Sequence, residues 1–162
     1  MAQTRAAVLI DALGLAPHPE GGHYRELYRA ERLIDPRDGR PLRSAITTIY
    51  FLLTASEASR WHRVRSDEIW QFVEGDPLEL YEADPSFDAV NTIVIGSNAE
   101  GRTPLHVIKA DWWQAARTTG SYTLVACTVA PGFDYADFAM LRDHPTLSEE
   151  IRRKHPAFAE LI

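Results

Sequence analysis

The chain has 162 residues, 45% of them hydrophobic and 25% charged, which is ordinary for one soluble globular domain spanning 1–162. Its 17 Lys and Arg against 23 Asp and Glu give a net charge of -6, so it lacks the cationic excess that a nucleic-acid partner requires. No apolar run reaches membrane-spanning length, and the N-terminus carries no signal-peptide pattern. Cys127 is the single cysteine, so no intrachain disulfide can form, and a reducing, cytoplasmic setting is expected. It lies in an apolar run, Tyr122 to Val129, that predicts a core thiol rather than a nucleophile.

In chain order, Thr4 predicts the cap of a short helix with Val8, Leu9 and Leu13 on its apolar face, stopped by Gly14 and Pro17. Strands are then predicted over Tyr24–Ala30, Ser44–Leu53, Ser59–Val64, Glu68–Val73 and Leu78–Ala83. Four more follow over Asn91–Ile95, Leu105–Lys109, Trp112–Arg117 and Tyr122–Val129, separated by Gly, Pro and Asp turns. Thr146 and Glu149 have capping-box spacing and predict a C-terminal helix that ends before Pro156. Many short strands with helices only at the ends predict an all-β sandwich, barrel or jelly roll.

The chemistry concentrates in Trp61 to Gly75. Side chains alternate along a strand, so His62 and Val64 share one face. A turn through Arg65, Ser66 and Asp67 returns Glu68 on the neighbouring strand, with Trp70 and Phe72 on its face. His62 and Glu68 are therefore expected to meet in a largely apolar cavity, either as an acid–base pair or as two polar groups that satisfy each other. Arg60, Arg63 and Arg65 flank the motif, as a solvated strand face or as a rim favouring an anionic ligand.

This spacing resembles the first cupin motif, with His62, Glu68 and Gly75 at its first histidine, glutamate and final glycine. Val64 stands in place of the second histidine and Ser56 in place of the opening glycine; Gln114 stands where the histidine of the second motif falls. The segments His18 to Gly22, Ala110 to Ala116 and Thr128 to Phe133 resemble a subfamily of small cupin-like proteins without a settled function. In its usual form, proline and glycine replace Lys109 and Asp111, a difference that concerns a turn. The resemblance implies a cupin double-stranded β-helix, an RmlC-like jelly-roll barrel, that forms a homodimer. It also implies a pocket comparable with those of sugar-nucleotide epimerases and metal-dependent cupins.

A metal in such a pocket would take His62, Glu68 and Gln114. That set is poor for zinc or iron, so no cofactor is favoured and a divalent ion is the alternative. His18, His23 and His106 have no position fixed by the sequence. The remaining ligand-binding candidates are Glu20 and Tyr24 near the Gly21-Gly22 turn, Thr48 and Tyr50 on one strand face, Trp70, and Trp112 sharing a face with Gln114. Three readings follow: a metal-independent isomerase or epimerase with His62 as base and Glu68 orienting it, a metal-dependent enzyme, or a non-catalytic binding protein. In the first, Tyr24 or Tyr50 would supply a proton.

Overall fold

The computed structural model describes residues 3–162. The chain begins with helix α1 (Arg5–Leu13), where the Thr4 hydroxyl accepts the Ala7 N–H and Gly14 closes the end in the left-handed conformation. Then come strands β1 (Ala16–Pro17), β2 (His23–Arg29), β3 (Leu33–Ile34), β4 (Arg43–Ser44) and β5 (Thr47–Thr54). They are followed by β6 (Ser59–Val64), β7 (Asp67–Gly75), β8 (Leu78–Ala83), β9 (Val90–Ile95) and β10 (Leu105–Ile108). The last elements are β11 (Trp113–Thr118), β12 (Tyr122–Ala130), β13 (Phe138–Met140) and helix α2 (Pro145–Lys154).

Two main sheets face each other, with strand orders β1-β2-β5-β12-β7-β10 and β13-β6-β11-β8-β9, and β3 pairs only with β4. The sheets form an open sandwich of jelly-roll type rather than a closed barrel. Between them, Phe51, Leu53, Trp70, Val125 and Cys127 of the larger sheet pack on Leu78, Leu80, Ile95 and Ala116 of the smaller one. Both outer faces are also covered. Helix α1 lays Ala6 and Leu9 on Leu52 and Leu124, while Val8 faces solvent. The C-terminal segment lays Leu141, Ile151 and Leu161 on Trp61, Tyr81 and Trp113.

The elements differ from the sequence reading at three places. The predicted strand Ser44–Leu53 is broken into β4 and β5, because Ala30 N–H donates to Ile46 O and Ala45 N–H to Arg32 O at the crossing of the neighbouring loop. Helix α2 is capped without a side-chain bond, at His144, with Pro145 in the first turn; Thr146 already lies inside it. Trp112 lies just before β11, not within it.

Asp111 occupies the turn ahead of β11 at φ 65, donating its N–H to Val64 O over 2.8 Å. An aspartate tolerates this left-handed conformation at a cost that glycine avoids, although glycine also loosens the unfolded chain. Asp111→Gly is therefore expected to raise stability slightly, by about 0.5 kcal/mol. Urea denaturation would check this, and a clear loss of stability would count against it.

Candidate functional site

A cavity of about 490 Å³ opens between the sheets at the end where β2, β5, β6, β7 and β12 converge. Its walls are aromatic: Tyr24, Phe51, Trp70, Phe133, Tyr135 and Phe138 all face it. Among the titratable side chains lining it, His18, Glu20, His62 and Glu68 approach one another. His62 and Val64 point inward from β6, while Trp61 points outward into the α2 layer. Glu68 and Trp70 point inward from β7 on the same alternation.

His62 does not pair with Glu68, as the sequence suggested. Its Nε2 lies 3.2 Å from Glu20 Oε2, and its Nδ1 lies 2.8 Å from the Arg60 carbonyl oxygen. Glu20 arrives from the hairpin ahead of β2, where His18 N–H donates to Gly22 O and Arg60 N–H donates to Glu20 O. The Ser59 hydroxyl donates to Glu20 Oε1 over 2.7 Å, and His18 Nδ1 lies 3.4 Å from Glu20 Oε2. Burial pushes the Glu20 carboxyl up and both imidazoles down, since each charged form loses its water.

Glu68 has a different support. Trp70 Nε1–H can only donate, and it donates to Gln114 Oε1 over 2.8 Å. This fixes the amide so that Gln114 Nε2 donates to Glu68 Oε2 over 2.6 Å. Burial nevertheless dominates and lifts the Glu68 carboxyl from 4.5 to about 7, with the neighbouring His62 pulling it down and Glu20 pushing it up. Cys127 faces it from β12, its thiol raised well above the ordinary value by burial. The cysteine is inert here.

Several candidates lie elsewhere. Thr48 and Tyr50 are on the outer face of β5, where Tyr50 packs under α1; Thr47, Ile49 and Phe51 face the cavity instead. Trp112 packs against the core between the sheets with Lys109 Nζ 5.2 Å from its ring, outside the cavity lining. Gln114 stands behind Glu68, 1% exposed, and does not line the cavity. His23 pairs with Glu57 and His106 with Glu82. Arg63 lies over the Trp113 ring and Arg60 bonds Glu160 O, so neither forms a cationic rim. The cation at the mouth is Arg29, which is already paired with Glu26 at 2.8 Å.

The sequence reading missed the wall Phe133 to Phe138. Asp137 anchors it by accepting from Arg40 Nη1 at 2.9 Å and from Arg43 Nε and Nη2 at 2.8 and 3.0 Å. The two guanidiniums hold the Asp137 carboxyl below its ordinary value against the opposing effect of burial. Tyr135 and Tyr24 hydroxyls meet at 3.5 Å across the mouth, and burial lifts the Tyr135 phenol to about 12. The one sequence signal for this wall was aromatic residues spaced around Asp134 and Asp137.

The ligand set suggested by the sequence, His62, Glu68 and Gln114, does not open together onto the cavity. Val64 supplies no ligand, the Gln114 oxygen is occupied by Trp70, and His62 Nε2 is turned to Glu20. Among the described residues, no three His, Cys, Asp or Glu side chains form a metal-binding group. No helix among them is long and apolar enough to cross a membrane.

Two facing antiparallel sheets around an inward His and Glu define a double-stranded β-helix of the cupin class. The chain belongs to the family described as Cupin superfamily (DUF985), whose model matches residues 7–141. It is similar to the structure of a hypothetical protein from Leishmania major, at 30% identity and TM-score 0.84, covering 98% of this chain and 97% of that one. A crystal structure of a protein from Shewanella oneidensis is similar at 30% identity and TM-score 0.85, with the same coverage of 98% and 97%. Oxalate decarboxylase from Bacillus subtilis shares the fold at 13% identity and TM-score 0.58, over 85% of this chain and 33% of that one. No curated protein matches the sequence.

Proposed function

We propose that the chain is a small-molecule enzyme of isomerase or epimerase type that works by proton transfer without a metal. One observation carries this reading: Glu68, with its carboxyl at about 7, shares a buried cavity with the Glu20–His62 pair. A carboxyl tuned near neutral pH can take a proton from a ligand carbon, and a second proton-bearing group can return one elsewhere on the same ligand. This reverses the roles suggested by the sequence, since Glu68 becomes the base and His62 holds Glu20. Tyr24, paired with Tyr135 at the mouth, is placed to orient the ligand.

The substrate class is a small ring or hydroxycarbonyl compound rather than a nucleotide sugar, because among the described residues no unpaired cation lines the cavity to receive a diphosphate. Among the described residues, the edge of β2 away from β5 has no strand partner beyond Tyr24, and Leu27 and Tyr28 there are 44% and 56% exposed, which suits pairing with a second copy as a homodimer. A cytoplasmic setting accords with the single buried thiol.

A thermal-shift screen of neutral sugars, hydroxyketones and their phosphorylated counterparts tests the reading. A true ligand at about 100 times its Kd should raise Tm by roughly 5–10 °C. Turnover of that ligand should then fall by about 10²–10⁴-fold in Glu68→Gln and in His62→Ala, with the fold retained. A ligand that stabilises the protein and is recovered unchanged would establish a binding protein instead. Undiminished turnover in both variants would reject the proposed groups.

A further inference from the structure

Hydrogen-bond direction around Glu20 leads beyond the pair itself. The Arg60 carbonyl can only accept, so the His62 nitrogen that meets it at 2.8 Å, Nδ1, carries a hydrogen. The Glu20 backbone N–H can only donate, and it points at His18 Nδ1 over 3.3 Å, so that nitrogen is bare. In their neutral forms both rings therefore turn bare nitrogens, His62 Nε2 and His18 Nδ1, toward the same oxygen, Glu20 Oε2. Three lone pairs facing one another repel unless a proton lies among them.

We infer that Glu20 is a neutral carboxylic acid whose Oε2–H donates to His62 Nε2, making it the proton store of the cavity. The alternative places that proton on His62 and leaves a carboxylate beside an imidazolium, both almost fully out of water. Separated charges at such a site need further partners to offset their lost hydration. Ser59 supplies the carboxyl with one neutral donor at Oε1. Of the other polar groups facing the cavity, Cys127, Tyr24, Tyr135, Asp134 and Thr47 bring no positive charge to a Glu20 carboxylate, Arg29 is committed to Glu26, and the pull of Glu68 on His62 is outweighed by the burial that lowers it. The neutral arrangement satisfies the carbonyl, the backbone N–H, the Ser59 hydroxyl and His62 Nε2 together, and Glu20 holds a transferable proton in the same cavity as Glu68.

Histidine side-chain nitrogen NMR on the unmodified protein at pH 7 decides the point, and it requires no ligand. Expected are a neutral His62 with its hydrogen on Nδ1 and a neutral His18 with its hydrogen on Nε2. A doubly protonated His62 would overturn the inference. Glu20→Gln gives an independent readout, since its amide can donate to both bare nitrogens while its oxygen accepts from Ser59. It should keep both ring states and lose no more than about 5 °C in Tm, whereas loss of a buried ion pair would cost about 10 °C in a chain of this size. A larger fall, or a change in the His62 ring state, would also overturn it. These outcomes stand apart from catalysis: the proton store survives even if no substrate is turned over.

Discussion

Glu68→Gln is expected to be more stable than the parent protein at pH 8, by about 3 kcal/mol, and no more stable at pH 4. The folded protein holds the Glu68 carboxyl at about 7 against an ordinary 4.5, so the native state binds the proton more tightly than the unfolded chain. The stability linked to that proton is fully present below 4.5 and is lost as pH rises through about 7. Glutamine keeps the shape of the protonated acid and still accepts from the Gln114 amide, but it has no charge to bury. The two imidazoles act in the opposite sense: burial lowers them, so their contribution is lost as pH falls below 6.5. His18 is common to both proteins, whereas His62 loses the pull of the Glu68 charge, so the difference curve reports Glu68 together with its coupling to His62. Urea denaturation from pH 4 to pH 8 would show it; parallel curves would mean that Glu68 is hydrated and not poised for proton transfer.

The second large effect belongs to Gly21. Its φ of 112 lies where side chains are strained, and a Cβ there would fall 2.1 Å from the Ala58 carbonyl oxygen and 3.2 Å from its carbon. Both are backbone atoms directly ahead of β6, which is hydrogen-bonded along its length and cannot retreat. Gly21→Ala combines backbone strain with overpacking, at about 3–4 kcal/mol together. It should also pull Glu20 away from Ser59 and His62. Lower stability by denaturation, with altered His62 nitrogen signals in the fraction that remains folded, is the expected result. An alanine variant with unchanged stability would show that the hairpin is free to shift.

The strand pattern was legible because most turns are marked by Gly, Pro or Asp, and because His62 and Glu68 each alternate with inward apolar neighbours. The inward face of β5 was not legible. Its Thr-Thr-Ile-Tyr-Phe-Leu-Leu run is mixed on both sides, since α1 covers one face and the cavity and core cover the other, and alternation carries no signal where both faces are buried. The Glu20–His62 contact was hidden for another reason. It depends on main-chain bonding between the Gly21-Gly22 hairpin and β6, some 40 residues away, and on a close approach that only glycine permits. Gln114 was placed on the inward face by periodicity, but only the Trp70 indole shows why it stands behind Glu68 and not in front.

The clamp of Asp137 by Arg40 and Arg43 separates two properties of the cavity. The titratable groups Glu20, His62 and Glu68 rest on paired strands or main-chain bonds to them, while Phe133 and Tyr135 ride on a segment held by the Asp137 clamp, by Phe133 N–H on Thr47 Oγ1 and, from Phe138 on, by β13 pairing with β6. Phe133 and Tyr135 lie outside β13, so their side chains can be exchanged without breaking the pairing that holds the His62 strand. A change at Phe133 or Tyr135 would thus alter which molecules the cavity admits while leaving the groups around Glu20 and Glu68 in place, provided that the two arginines and the aspartate are kept.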